Sequence, residues 1–159
     1  MRLSETAADN LALLERIWRQ RLSGRLHLEV DGREERLAVV SGGVYPGADG
    51  LNGLREAAAY GRVRFLVAPG EPIAQPGSRP GLAGVIRELA TRLVDQQPRP
   101  VEADAVVRLQ VDIDLAYEIM DPYLADRLFR KPVAAGALLR DGTVSGRLLQ
   151  ALERLHLVR

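Results

Sequence analysis

A chain of 159 residues without a cysteine excludes a disulfide framework, a thiolate zinc site and a cysteine nucleophile. At this length it buries about 70% of the surface it would expose unfolded, so it folds without covalent staples, as one domain or one and a half. Its 22 basic and 21 acidic side chains leave a formal net charge of +1. The excess of three positive charges in residues 121–159, seven basic against four acidic, is too small to demand nucleic acid.

The first predicted element is a helix over residues 5–22. Leu11, Leu14 and Trp18, with Leu13 and Ile17, recur at helical spacing; Ser4 or Thr6 is available as N-cap and Gly24 as the terminating residue. Trp18 is the single tryptophan and reads as the core anchor of this helix. Residues 24–70 then alternate between strands and turns. Leu26, Leu28 and Val30 share one face of a strand, with Arg25, His27 and Glu29 on the other, the period-two pattern of a half-buried antiparallel strand. Asp31-Gly32 predicts a tight hairpin, because a primed turn needs positive φ. A second strand over 36–40 and Ser41-Gly42-Gly43-Val44-Tyr45 follow.

Gly47, Gly50 and Gly53 precede an alanine-rich helix ending at Gly61. Glycines before a helix invite a phosphate-loop reading. No lysine stands where a Walker loop needs one, and the strands look antiparallel rather than parallel, so a plain turn leading into a helix is expected. Val63, Phe65 and Val67 alternate with Arg62 and Arg64 in the closing strand. Residues 69–81, with four prolines and three glycines, predict a loop or linker. An amphipathic helix over 82–96 carries Leu82, Val85, Ile86, Leu89, Leu93 and Val94, and Pro98 and Pro100 mark a boundary.

From Ala105 the pattern returns to period two through Val107, Leu109, Val111 and Ile113, a predicted strand. Asp114 is the expected cap of a following helix, Asp121-Pro122 the cap and first helical residue of the next, and Pro132 the start of a short helix to about Leu139. Asp141-Gly142 turns the chain and Thr143 caps a last helix lined by Val144, Leu148, Leu149, Leu152 and Leu155, with Leu157-Val158 extended. Two helices joined by a glycine turn and an extended tip outline a winged helix-turn-helix. The expected architecture is α+β: a small antiparallel or mixed sheet packed with helices in residues 1–96, then a helical winged-helix-like unit in residues 97–159.

Residues 11–94 resemble the PATAN domain, a bacterial domain first described in a cyanobacterial pattern-formation response regulator. The likeness rests on Leu22-Ser23-Gly24-Arg25-Leu26-His27-Leu28 after a helix, Gly32-Arg33-Glu34, Arg36-Leu37-Ala38-Val39-Val40, the turn Ser41 to Tyr45, the helix from Gly50 to Ala59 and Gly61-Arg62-Val63-Arg64-Phe65. Pro46 stands where the family usually carries a histidine. The resemblance implies a non-enzymatic interaction module of bacterial signalling or surface motility, with a GTPase, a receiver protein or a pilus motor as partner.

No constellation of acid, base, nucleophile or metal ligands stands out. His27 and His156 are far apart in sequence, Asp112 and Asp114 read as a solvated strand end, and the position before Ser145 that a nucleophile elbow needs as glycine is Thr143. The expectation is therefore a chain with no catalytic residue, cofactor or metal. No apolar run approaches the roughly 20 residues of a membrane span and no signal-peptide apolar region is present, which sets a soluble, cytoplasmic adaptor as the expected setting. A homodimer through an edge strand or the 82–96 helix fits an antiparallel sheet whose edges need covering. The alternative is a DNA-binding regulator whose recognition helix, residues 144–155, offers Ser145, Arg147, Gln150 and Arg154, with Ala151 beside them and Arg140, Arg130 and Lys131 near phosphates.

Overall fold

The computed structural model describes residues 2–45, 47–67 and 78–159. The chain is α+β and divides into two compact units, Met1–Leu89 and Ala90–Arg159. The division falls inside helix α3 (Arg79–Gln96), whose last seven residues group with the C-terminal unit rather than with the sheet.

In the first unit, α1 (Ala7–Arg19) precedes β1 (Gly24–Val30), β2 (Arg33–Val40), β3 (Gly43–Tyr45), α2 (Gly47–Tyr60) and β4 (Arg62–Val67). The strands form one antiparallel sheet in the order β3-β2-β1-β4. Asp31 and Gly32 join β1 to β2 with φ of 49° and 77°, and Ser41 and Gly42 join β2 to β3 with 50° and 77°. Both are two-residue turns with positive φ throughout, the geometry whose twist matches that of the flanking strands. The register sets Leu26 opposite Leu37 and Phe65, and Leu28 opposite Val63. Leu26, Leu28, Leu37 and Val63 are buried.

Helix α2 lies on this apolar face, and the glycines account for how closely. A Cβ at Gly50 would stand 2.9 Å from Leu37 Cδ2, and one at Gly53 2.5 Å from Glu35 Oε2; one turn on, Glu56 accepts a hydrogen bond from Arg33 at 3.1 Å. Positions 50, 53 and 56 of the helix thus ride over 37, 35 and 33 of β2, a three-residue helical step matched to a two-residue strand step. The glycines read as a turn before the helix are already inside it. Helix propensity disfavours them there, and the close approach to β2 overrides that preference.

Helix α1 is shorter than the predicted span 5–22, and Gly24 does not terminate it. Arg21 takes the left-handed conformation instead, with φ of 54°, and Gly24 opens β1, where a Cβ would collide with the Leu66 carbonyl and the Phe65 ring. Thr6 holds the N-cap position without capping; its hydroxyl and that of Ser4 donate to the Gly61 carbonyl, at 2.5 and 3.2 Å. Trp18 is fully buried, and the Arg79 guanidinium lies 5.9 Å from its ring centroid while donating to the carbonyls of Trp18 and Ser41. Of the predicted loop, residues 69–77 lie outside the described residues. Ser78 pairs with Val44 and accepts from Gly81 N–H at 3.1 Å. Helix α3 therefore starts three residues before its apolar repeat, with Pro80 in the first turn, where a missing N–H costs nothing.

The second unit contains β5 (Val106–Val107), α4 (Ile113–Ile119), α5 (Pro122–Arg130), β6 (Val133–Ala134), α6 (Ala135–Arg140) and α7 (Gly146–Arg154). β5 pairs antiparallel with β6. The strand expected over 105–113 is cut short because Asp112 is the N-cap of α4; the alternation of Val107, Leu109, Val111 and Ile113 runs into a helix start. Asp121 caps α5 as expected, accepting from Tyr123 N–H, with Pro122 in the first turn. Pro132 precedes β6 rather than opening a helix. Ser145, not Thr143, caps α7, accepting from Leu148 N–H at 3.1 Å; the Thr143 hydroxyl accepts from Arg127 instead, at 3.0 Å. The tip after α7 pairs with residues 108–110 through Arg108–Arg159 and Gln110–Leu157 backbone bonds. Its antiparallel partner thus comes from upstream of the helices.

Candidate functional site

Two surfaces carry the side chains singled out in the sequence. The first is the face of the sheet opposite α2. Arg25, Glu29, Glu34, Arg36, Arg62, Arg64 and Leu66 on it are exposed, and His27 and Ala38 are half-buried. Strand alternation alone puts them there: each is one residue removed from a side chain that packs under α2. The face holds four arginines against two glutamates, and a depression of about 280 Å³ lies among His27, Glu29, Glu34, Arg36, Arg62 and Arg64.

Among the described residues, the edge of this sheet at β4 is closed at one end only. Asn10 is the one buried polar side chain among the described residues, 2% exposed. Its amide donates to the carbonyls of Ala58 and Gly61, both at 3.0 Å, and its carbonyl accepts from Val63 N–H at 3.1 Å. Since Val63 N–H points away from β1, alternation turns the backbone groups of Phe65 and Val67 outward as well, beside the 56% exposed Leu66 and the 70% exposed Val67. Asn10 carries a positional signal that the apolar periodicity hides: it occupies the buried stripe of α1, three residues after Ala7 and four before Leu14.

The second surface is α7 with the segment before β5. Arg140, Ser145, Arg147 and Arg154 are exposed and Gln150 is half-buried, whereas Ala151 is buried and belongs to the core rather than to the exposed face. Three of the five residues expected to reach DNA have partners within the unit. Ser145 caps its own helix. Arg147 forms a two-pronged ion pair with Asp95, its Nε donating at 2.6 Å. Gln150 accepts from Arg99 N–H at 3.1 Å and donates to the Arg99 carbonyl, holding the 97–105 segment along the helix. Arg140 and Arg154 make no such bond among the described residues. A cleft of about 450 Å³ opens beside α7, floored by Leu93, Val94, Val107, Leu149 and Val158. On α4 and α5 the Tyr117 hydroxyl donates to the Asp126 carboxylate, which raises the Tyr117 pKa, and Tyr123 and Phe129 are exposed.

The hydrogen bond from Arg147 holds the Asp95 carboxyl below its ordinary value, with nearby Arg92 adding to the effect. A carboxyl lowered by folding contributes stability above its unfolded pKa, and that contribution fades as pH falls through the folded value, below about pH 4. Arg147→Ala is expected to return the Asp95 titration to the ordinary range in a carboxyl-detected NMR titration. Stability at neutral pH should change little, because the pair stands in solvent, where screening and the cost of ordering two long side chains offset its attraction.

Among the described residues no three His, Cys, Asp or Glu side chains group as metal ligands, and no helix is long and apolar enough to cross a membrane. No family model, curated protein or solved structure matches the chain. The fold and the two surfaces are those of an α+β chain with a bare, charged sheet face.

Proposed function

We propose that the chain is a non-enzymatic protein-interaction module, a cytoplasmic bacterial adaptor of the PATAN kind acting in signalling or surface motility. The observation that carries this reading is the open sheet face: β2, β1 and β4 turn one side toward α2 and the other, rich in arginine, to solvent. The order helix, hairpin, turn, helix, closing strand in the first unit supports the same reading. A GTPase, a receiver protein or a pilus motor is the kind of partner it calls for, and the part-open edge of β4 suits either that partner or a second copy of the chain.

The DNA-binding alternative draws less support. A recognition helix needs side chains available to bases, and Ser145, Arg147 and Gln150 hold the second unit together. Capture from a bacterial lysate by the tagged full chain, with and without nuclease, separates the two. The adaptor reading expects a specific protein retained through nuclease treatment. Retention of DNA, with the protein bands lost on digestion, overturns it, as does turnover on a nucleotide, ester or phosphate panel that disappears when one polar cluster is mutated.

A further inference from the structure

Resting on the interaction-module reading, the register of the sheet narrows the chemistry of the partner. Outward side chains stand in three rows across β2, β1 and β4: Glu34, Glu29 and Arg62; then Arg36, His27 and Arg64; then Ala38, Arg25 and Leu66. Adjacent strands lie about 4.8 Å apart, so the middle row spans about 10 Å. Neither Arg36 nor Arg64 forms an ion pair with any described residue, although Glu29 and Glu34 occupy the next row. Two exposed guanidinium forks with an imidazole between them present donors to carboxylates, which Arg binds in bidentate geometry.

We propose that the Arg36–His27–Arg64 row is the docking site for an acidic segment of a protein partner, its carboxylates seated on Arg36 and Arg64. Two features select a protein segment over a continuous polyanion. Glu29 and Glu34 place negative charge one row away, about 7 Å along the strands, where a phosphate backbone crossing the face meets repulsion. On the other side Leu66 is exposed and offers apolar contact that a phosphate chain does not use. The complementary segment therefore carries a basic or neutral side chain toward Glu29 and Glu34, carboxylates toward the middle row, and an apolar side chain toward Leu66.

The test is an amide and imidazole NMR titration of the full chain at low salt with deca-glutamate, and in parallel with a short DNA duplex. Deca-glutamate is expected to shift the amides of residues 25–29, 34–38 and 62–66 and the His27 imidazole. Arg36→Gln with Arg64→Gln, which keeps the strands and removes only charge, weakens binding about ten-fold, as expected for two exposed charge-assisted contacts. Arg36→Glu with Arg64→Glu abolishes it, and Arg140→Glu with Arg154→Glu leaves it unchanged. Shifts confined to other residues, unchanged binding by the glutamine variant, or tighter binding of the duplex to the same amides overturns the proposal. A lysate protein captured through nuclease treatment equally well by the glutamine variant overturns it too, while the interaction-module reading stands.

Discussion

Asn10→Ala is expected to lower the free energy of unfolding by about 3 kcal/mol, read as a fall in the urea midpoint with an unchanged slope. The side chain is buried and uses both ends of its amide: it donates to the end of α2 and accepts from the start of β4. Truncation leaves Val63 N–H facing an apolar gap, and an orphaned buried donor costs about 1–3 kcal/mol before the cavity is counted. Gly61 O keeps its bond from Thr6, so the loss falls chiefly on Val63 and Ala58. Asn10→Asp is the sharper variant. It preserves the acceptor for Val63 but aims a carboxylate at two carbonyls, and it should destabilise more than alanine does at neutral pH. An Asn10→Ala midpoint indistinguishable from wild type would show that water replaces the amide and that α1 is not joined to the sheet through it.

The second large effect is expected one bond away. A Cβ at Gly61 would overlap the Glu29 carbonyl oxygen, which belongs to the backbone of β1 and cannot swing aside as a side-chain end does. Gly61→Ala must therefore pull the corner between α2 and β4 off β1, also disturbing the carbonyl that accepts from Ser4, Thr6 and Asn10. About 3 kcal/mol is the scale for such overpacking. Because both variants act on the Gly61 carbonyl, their combination should cost less than the sum of the two. Strict additivity in that double-mutant cycle would mean that the helix and the strand corner are held independently.

Where local chemistry decides, the fold was legible in the sequence. Asp31-Gly32 has one comfortable hairpin geometry, and the alternation of Leu26, Leu28 and Val30 with Arg25, His27 and Glu29 assigns the two faces of β1 before any partner strand is known. Asp121-Pro122 likewise fixes the start of α5. Where tertiary packing decides, it was not. Gly50 and Gly53 read as turn residues because isolated glycine disfavours helix, and only the packing of α2 on β2, closest where Gly50 meets buried Leu37, places them inside one. Asn10 was hidden because periodicity counts apolar residues and passes over a polar one whose partners are backbone groups more than 45 residues away. Thr143 and Ser145 were equally good caps by type, and the choice fell to Ser145 because Arg127 binds the Thr143 hydroxyl. The charged sheet face was visible strand by strand, but its rows depend on register, which pattern alone leaves open.

One comparison tests most directly whether the sheet face is where this chain works. Full-length wild type, Arg36→Glu with Arg64→Glu, and Arg140→Glu with Arg154→Glu are used in parallel to capture partners from nuclease-treated bacterial lysate, after circular dichroism shows all three folded alike. An adaptor that works through the sheet loses its captured protein with the first variant and keeps it with the second. Loss with the α6–α7 variant alone, and full capture by the sheet variant, would contradict the account and move the functional surface to the C-terminal unit.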